Sequence, residues 1–322
     1  MATPATQLTP KARKHPRRKR KTQGIAYVYL LPTLVTIGIL SLGPILYTIY
    51  ISFTNYDSGS HFLNYSWVGL SNYTSILFGQ WGPYFLPTIA WTFIFAVSTT
   101  VFNYLLGLIM AVFLNNRHMK ESVFYRGILI IPWAVPALAS QLAWSAMLDF
   151  NHGNINQLLH YVGLGPVPWL LNPFWAKVAI LLVNLWLGYP YMMNVALGGL
   201  QAIPSDIYEA AAIDGANSRQ QFFYVTLPSL WRISLPLIIP TIAFNFNNFG
   251  AVYLLTQGNP ASMTNQFAGS TDILISAIYK MLDQLAIAPY GLISALAVLA
   301  FIVVAVFSYI NMKLTRAFEE VD

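Results

Sequence analysis

Cysteine is absent from all 322 residues, which excludes disulfides, thiol nucleophiles and thiolate metal sites and leaves the redox compartment open. Charge is scarce as well: Asp, Glu, Lys and Arg make up 9% of the chain, where soluble domains carry about 25%. No GxxxxGKS/T phosphate loop occurs, so the chain does not bind ATP through that motif. The five histidines, His15, His61, His118, His152 and His160, fall in the tail or in loops. None has HExxH spacing or a nucleophile beside it, so they read as solvated surface residues and an enzyme is disfavoured. Acidic groups are missing from the apolar runs, since Glu121, Asp149, Asp206 and Asp272 lie at loop positions or span edges. Proton- or sodium-coupled carriers place ionisable groups inside their spans.

What is present is apolar sequence, 56% of the chain with a mean hydropathy of +0.55. Runs of the ~20 residues needed to cross a bilayer can be placed at approximately 25–52, 86–114, 125–148, 175–199, 232–256 and 287–311. These runs are too long for barrel strands, so the expectation is an all-α polytopic membrane protein with six transmembrane helices. The first run is longer than a signal segment and no cleavage pattern follows it before Tyr56, so it is expected to remain as an anchor. Pro132 and Pro136 should kink or break the third run.

The net charge of +6 is concentrated: eight of seventeen basic residues lie between Lys11 and Lys21, in a tail taken as 1–24. Without interleaved aromatics this run reads as a topology determinant and not a nucleic-acid surface. Arg117, Lys120 and Arg126 fall in the second connection, Arg219 and Arg232 around the fourth, and Lys313 and Arg316 at the end. Only Lys177 and Lys280 are left for the other side. The positive-inside rule then makes both termini cytoplasmic.

On the outer side, 54–87 holds Trp67, Tyr73, Trp81 and Tyr84 as expected interfacial anchors, and 149–175 reads as a turn-rich loop. In 257–286, Ile273, Ala277, Ile278, Met281, Leu282 and Leu285 fall at helical spacing after Ser270-Thr271-Asp272. That predicts a capped amphipathic helix on the outer surface.

The longest polar interruption of the second half is EAAAIDGANSRQQFFYVTLP, from Glu209 to Pro228, in a loop taken as 201–231. It predicts a short helix, a turn at Gly215 and a second helix stopping near Pro228. Two polar stripes accompany it. Asn184, Leu187, Gly188 and Tyr191 share one face of the fourth run, and Thr241, Phe244, Asn245 and Asn248 repeat the spacing in the fifth. Amides donate and accept without charge and rings pack on C–H surfaces, a mixture suited to a neutral polyhydroxylated ligand. Gly188 would open room for it, and Pro190 would loosen the helix nearby. Spacing alone equally allows these residues to be interhelical glue.

Glu209-Ala210-Ala211, then Gly215, then Val225, Leu227 and Pro228 resemble the EAA signature of ABC importer membrane subunits. Val225 stands where isoleucine is more usual. NLWLGYPY (Asn184 to Tyr191) and FNFNNF (Phe244 to Phe249) closely resemble the maltose-type first membrane subunit; the resemblance runs from about Ile25 onward, strongest from Asn184 to Asp272 and weakest in the tail and the first outer loop. The resemblance implies a type I permease fold over 25–322 in a bacterial or archaeal cytoplasmic membrane. It implies sugar contacts from Asn184, Leu187, Gly188, Tyr191, Phe244, Asn245 and Asn248, with Thr241 where the family has serine. It also implies docking of an ATPase by Glu209, Ala210, Ala211, Gly215, Leu227 and Pro228. The partners implied are a second, similar permease subunit, two ATPase copies that use ATP and Mg, and an extracytoplasmic sugar-binding protein. This chain itself would hold no cofactor. A permease for another disaccharide such as trehalose, an autonomous channel and a secondary carrier are the alternatives.

Overall fold

The computed structural model describes residues 21–116 and 119–315, with side chains from Tyr27 onward. His15, Arg117, His118, Arg316 and all of the basic cluster except Lys21 lie outside the described residues. The described residues fall into two compact units, divided between Thr48 and Ile49. In the first, α1 (Lys21–Ile37) passes through a π turn at Gly38–Leu42 into α2 (Gly43–Ile51). Its apolar side chains stay exposed, including Leu31, Leu34, Ile39 and Leu46.

The second unit contains α3 (Ser71–Leu77), α4 (Gly82–Leu114), α5 (Ser122–Leu129), α6 (Ile131–Ala134), α7 (Ala137–Met147) and α8 (Asn154–Tyr161). It continues with α9 (Pro173–Ala202), α10 (Ser205–Ile213), α11 (Ser218–Gln221), a π turn (Phe222–Thr226), α12 (Leu227–Phe246), α13 (Phe249–Thr256), α14 (Leu274–Asp283) and α15 (Tyr290–Leu314). Among the described residues there is no strand, only a bridge between Thr54 and Trp67. Five helical stretches are long and apolar enough to cross a membrane: 27–51, 82–114, 173–202, 218–246 and 290–314.

The third expected span is not one helix. Pro136 removes a backbone donor and biases Val135 to an extended conformation (ψ 137°), which separates α6 from α7, while α5 ends at its C-cap, Ile130, just before Pro132 in the first turn of α6. The fifth is interrupted too, between Phe246 and Phe249, because the Asn248 side chain caps α13 by accepting from the Ala251 N–H at 3.3 Å.

The α4–α9 pair forms the centre of the unit. At Gly107 a Cβ would come 2.5 Å from the Met193 backbone nitrogen and 2.7 Å from the Met192 carbonyl carbon, so only glycine permits this approach. Around it pack Leu108, Ala111, Met192, Met193, Ala196 and Leu230.

Outside the spans several expectations are revised. The loop at 149–175 contains α8, fixed by the buried Asn156, whose amide bonds the Phe150 and Val167 carbonyls, the Val167 N–H and the Trp169 indole. Trp81 and Tyr84 pack edge-on against Phe267 and so belong to an aromatic cluster within the protein. Asp272 does not cap α14: its buried carboxylate accepts from the Gly269 N–H, the Ser276 hydroxyl and Lys280 Nζ, each at 2.7 Å. The α14 helix itself matches the expectation, but its apolar face, Leu274, Ala277, Ile278 and Met281, is buried in the fold. Where His61 is described, its ring N–H donates to Asp57 at 2.6 Å, and this bond holds the Asp57 carboxyl below its ordinary value of 3.8.

Candidate functional site

All eight residues of the two stripes line one cavity of about 540 Å³ near the middle of α4 and α9. The volume is that of a small-ligand pocket, for which about 300–1,000 Å³ is usual. Three of its rings are exposed, Tyr191 at 37%, Trp133 at 57% and Phe244 at 67%, while Asn184 and Asn245 are buried. Trp133, from the broken third segment, stands 6.5 Å from Tyr191, centroid to centroid. No residue of the lining carries a charge.

The amides serve two purposes. Asn184 Nδ2 donates to the Ile180 carbonyl at 2.8 Å and to the Ala251 carbonyl at 3.2 Å, joining α9 to α13. Asn245 Nδ2 donates to Thr100 Oγ1 on α4 at 3.0 Å. The Thr241 hydroxyl returns to its own helix, donating to the Leu237 carbonyl at 2.7 Å. The stripe on the fifth run is not continuous, since Asn248 reaches the cavity from beyond the end of α12. The space beside Gly188 is not left open: a Cβ there would overlap the Asn103 amide, which fills it. Pro190 lies within an unbroken α9.

The sequence reading missed half of the wall. Thr99 and Asn103 on α4, and Ala137 and Gln141 on α7, face the same cavity. Their signal was a pair of polar residues at i and i+4, Thr99 with Asn103, and a glutamine within an apolar run.

At Glu209 to Pro228 the polypeptide encodes a stop and a restart. Gly215 (φ +81°) and Ala216 donate back to the Ala212 and Ala211 carbonyls at 3.0 and 2.9 Å, a Schellman ending for α10. Asn217 and Gln220 then exchange two 2.9 Å bonds as a capping box for α11. Glu209, Ala210, Gly215 and Pro228 are exposed, and Ala211 and Leu227 half-buried. The second helix does not stop at Pro228: helical structure continues to Phe246. The π turn explains this, because Leu227 N–H bonds the Phe222 carbonyl and the chain is re-registered just before the proline. Gly38–Leu42 precedes Pro44 in the same way.

Residues 103–316 match the model of the family described as binding-protein-dependent transport system inner membrane component. The chain belongs to that family. Among its relatives, the galactooligosaccharides transport system permease protein GanP of Bacillus subtilis is 35% identical over 93% of this chain and 72% of its own length. The maltodextrin permease MdxF of the same organism is 36% identical over 92% and 70%. The maltose/maltodextrin permease MalF of Vibrio cholerae is 41% identical over 72% of this chain and 45% of its own. A solved bacterial alginate ABC transporter, in complex with an alginate-bound periplasmic protein, contains a chain that superimposes with a TM-score of 0.71 over 93% of this chain. At 19% identity that likeness is one of fold.

For a membrane component of such a transport system the two features have different places. The cavity lies within the apolar helices, and the stop-and-restart loop lies between two of them, α9 and the stretch that ends as α12.

Proposed function

We propose that this chain is the permease subunit of an ATP-driven importer of neutral oligosaccharides of the maltodextrin class, and that it forms half of the translocation pathway. The observation that carries the reading is the cavity, where three exposed rings and several amides meet with no charged side chain. Such a lining matches sugar hydroxyls and C–H faces and offers a carboxylate or ammonium no counter-charge. The identity to MdxF, GanP and MalF supports the substrate class.

The exposed loop at 205–228 docks a separate ATPase subunit, two copies of which use ATP and Mg. A second, similar permease completes the pathway and an extracytoplasmic binding protein delivers the sugar. The basic residues of 1–24 and of the even-numbered connections keep both termini and the docking loop cytoplasmic. ATP closes the ATPase pair, the docking loops move together, the permeases open outward to take the sugar, and hydrolysis resets the inward state.

The test is a mild-detergent pull-down of the tagged chain from its native membranes. Recovery of a P-loop ATPase with a second EAA-bearing subunit is expected, followed by ATP hydrolysis that responds to maltotriose or galactotriose presented by the binding protein. A chain recovered alone under conditions that preserve a known importer would instead favour an autonomous channel or carrier.

A further inference from the structure

Seven buried side-chain oxygens among the described residues have no hydrogen-bond partner, and three of them belong to lining residues of the same cavity. They are Thr99 Oγ1, Asn103 Oδ1 and Gln141 Oε1, on residues that are 2%, 4% and 4% exposed. Buried polar atoms in folded proteins are paired with few exceptions, and an unpaired one carries its full desolvation cost. The other four, on Tyr104, Ser140, Ser234 and Asn311, do not line this cavity. The clustering therefore points to a ligand and not to loose packing.

We propose that Thr99, Asn103 and Gln141 form a second recognition wall, supplied by α4 and α7, that binds the hydroxyl donors of the transported sugar. This rests on the sugar-import reading of the cavity. The walls differ in chemistry. On α9 and α12, Asn184 has both amide hydrogens committed to the backbone and Asn245 donates to Thr100, while Tyr191 and Phe244 present rings. On α4 and α7, two carbonyl oxygens can only accept, and one hydroxyl can do either. A ligand that satisfies this wall must bring at least two O–H or N–H donors and no negative charge. Free sugar hydroxyls meet that demand, and fully O-methylated sugars do not. Asn103 is fixed against Gly188, so its oxygen is held in place before a ligand arrives.

Thr99→Val and Gln141→Met keep volume and remove the orphaned atom. Each would be made in the complete complex of both permeases and the ATPase, and the melting temperature followed as maltotriose or galactotriose is added, with the O-methylated sugar as control. A sugar that binds the folded complex raises its melting temperature in proportion to occupancy. The expected result is an unchanged or higher melting temperature without sugar and an apparent Kd weakened roughly 2- to 10-fold per substitution. The O-methylated sugar should give no shift. A lower melting temperature without sugar, or failure of either variant to fold, would mean that the atom ties the fold together and would overturn the proposal. An unchanged Kd in a complex that responds to sugar overturns this inference alone. A wild-type complex that responds to neither trisaccharide overturns the import reading and this inference with it.

Discussion

Asn245 and Asn184 are alike in sequence and unlike in what they hold. Asn184 joins two helices through backbone carbonyls, so Asn184→Ala removes the α9–α13 bond and should destabilise the subunit by about 0.5–1.5 kcal/mol, read as a lower melting temperature. Asn245→Ala frees a threonine hydroxyl that already donates to the Ala96 carbonyl and gives up a long 3.5 Å bond from the Asn248 amide. It should slow sugar uptake by reconstituted vesicles several-fold while the complex stays assembled, and unchanged kinetics would make Asn245 mere interhelical glue. Lys280→Met would strip the buried Asp272 of the only cation bonded to it among the described residues. Removing one member of a buried pair costs about 3–5 kcal/mol. A fall in thermal stability that Asp272→Asn partly restores is the expected outcome, and an unaltered melting curve would refute it. The stripes were legible because helical spacing sets faces, whereas the Asp272–Lys280 pair was not, since two charges eight residues apart read as solvated until the fold buries one of them.

At the scale of elements, the loop proposed for docking was legible because its signals are local. Glycine at C′ and an Asn-x-x-Gln box act within one turn of chain; the Gly215 turn forms where the sequence places it, while the box at Asn217 was not anticipated. Gly215→Ala forces a Cβ residue to φ +81°, an αL conformation that costs about 1–2 kcal/mol. No atom lies near that Cβ, so the effect is on the turn and not on packing. Gly215→Pro cannot adopt the angle at all and should uncouple ATP hydrolysis from transport while the protein remains inserted; normal uptake would refute the docking role. The continuation past Pro228 was not legible, because a proline usually ends a helix and the compensating π turn is a register change that no composition encodes. The breaks around Pro136 and Asn248 belong with it: one was anticipated from proline chemistry, the other depends on an asparagine turning to cap rather than to line a face.

For the whole molecule, the alginate importer chain shows that one fold accompanies an acidic polysaccharide elsewhere, so the architecture alone does not choose the substrate. Here that lining is uncharged among sixteen residues contributed by α4, α6, α7, α9, α12 and the turn after it. An ionised carboxylate brought into it would lose its water without gaining a counter-ion, at several kcal/mol per charge. Each 1.4 kcal/mol is about tenfold, so a neutral trisaccharide should be preferred over a uronic-acid trisaccharide of equal length by roughly 100-fold or more. The comparison is made by counting labelled sugar carried per ATP hydrolysed when either trisaccharide is trapped with the complex in vesicles, without the binding protein's own selection. Equal passage of both would mean that the cavity does not choose the substrate and that selection rests on the delivering protein. Strong preference for the neutral sugar would place selection in the membrane as well, where the helices named here could be altered to change it.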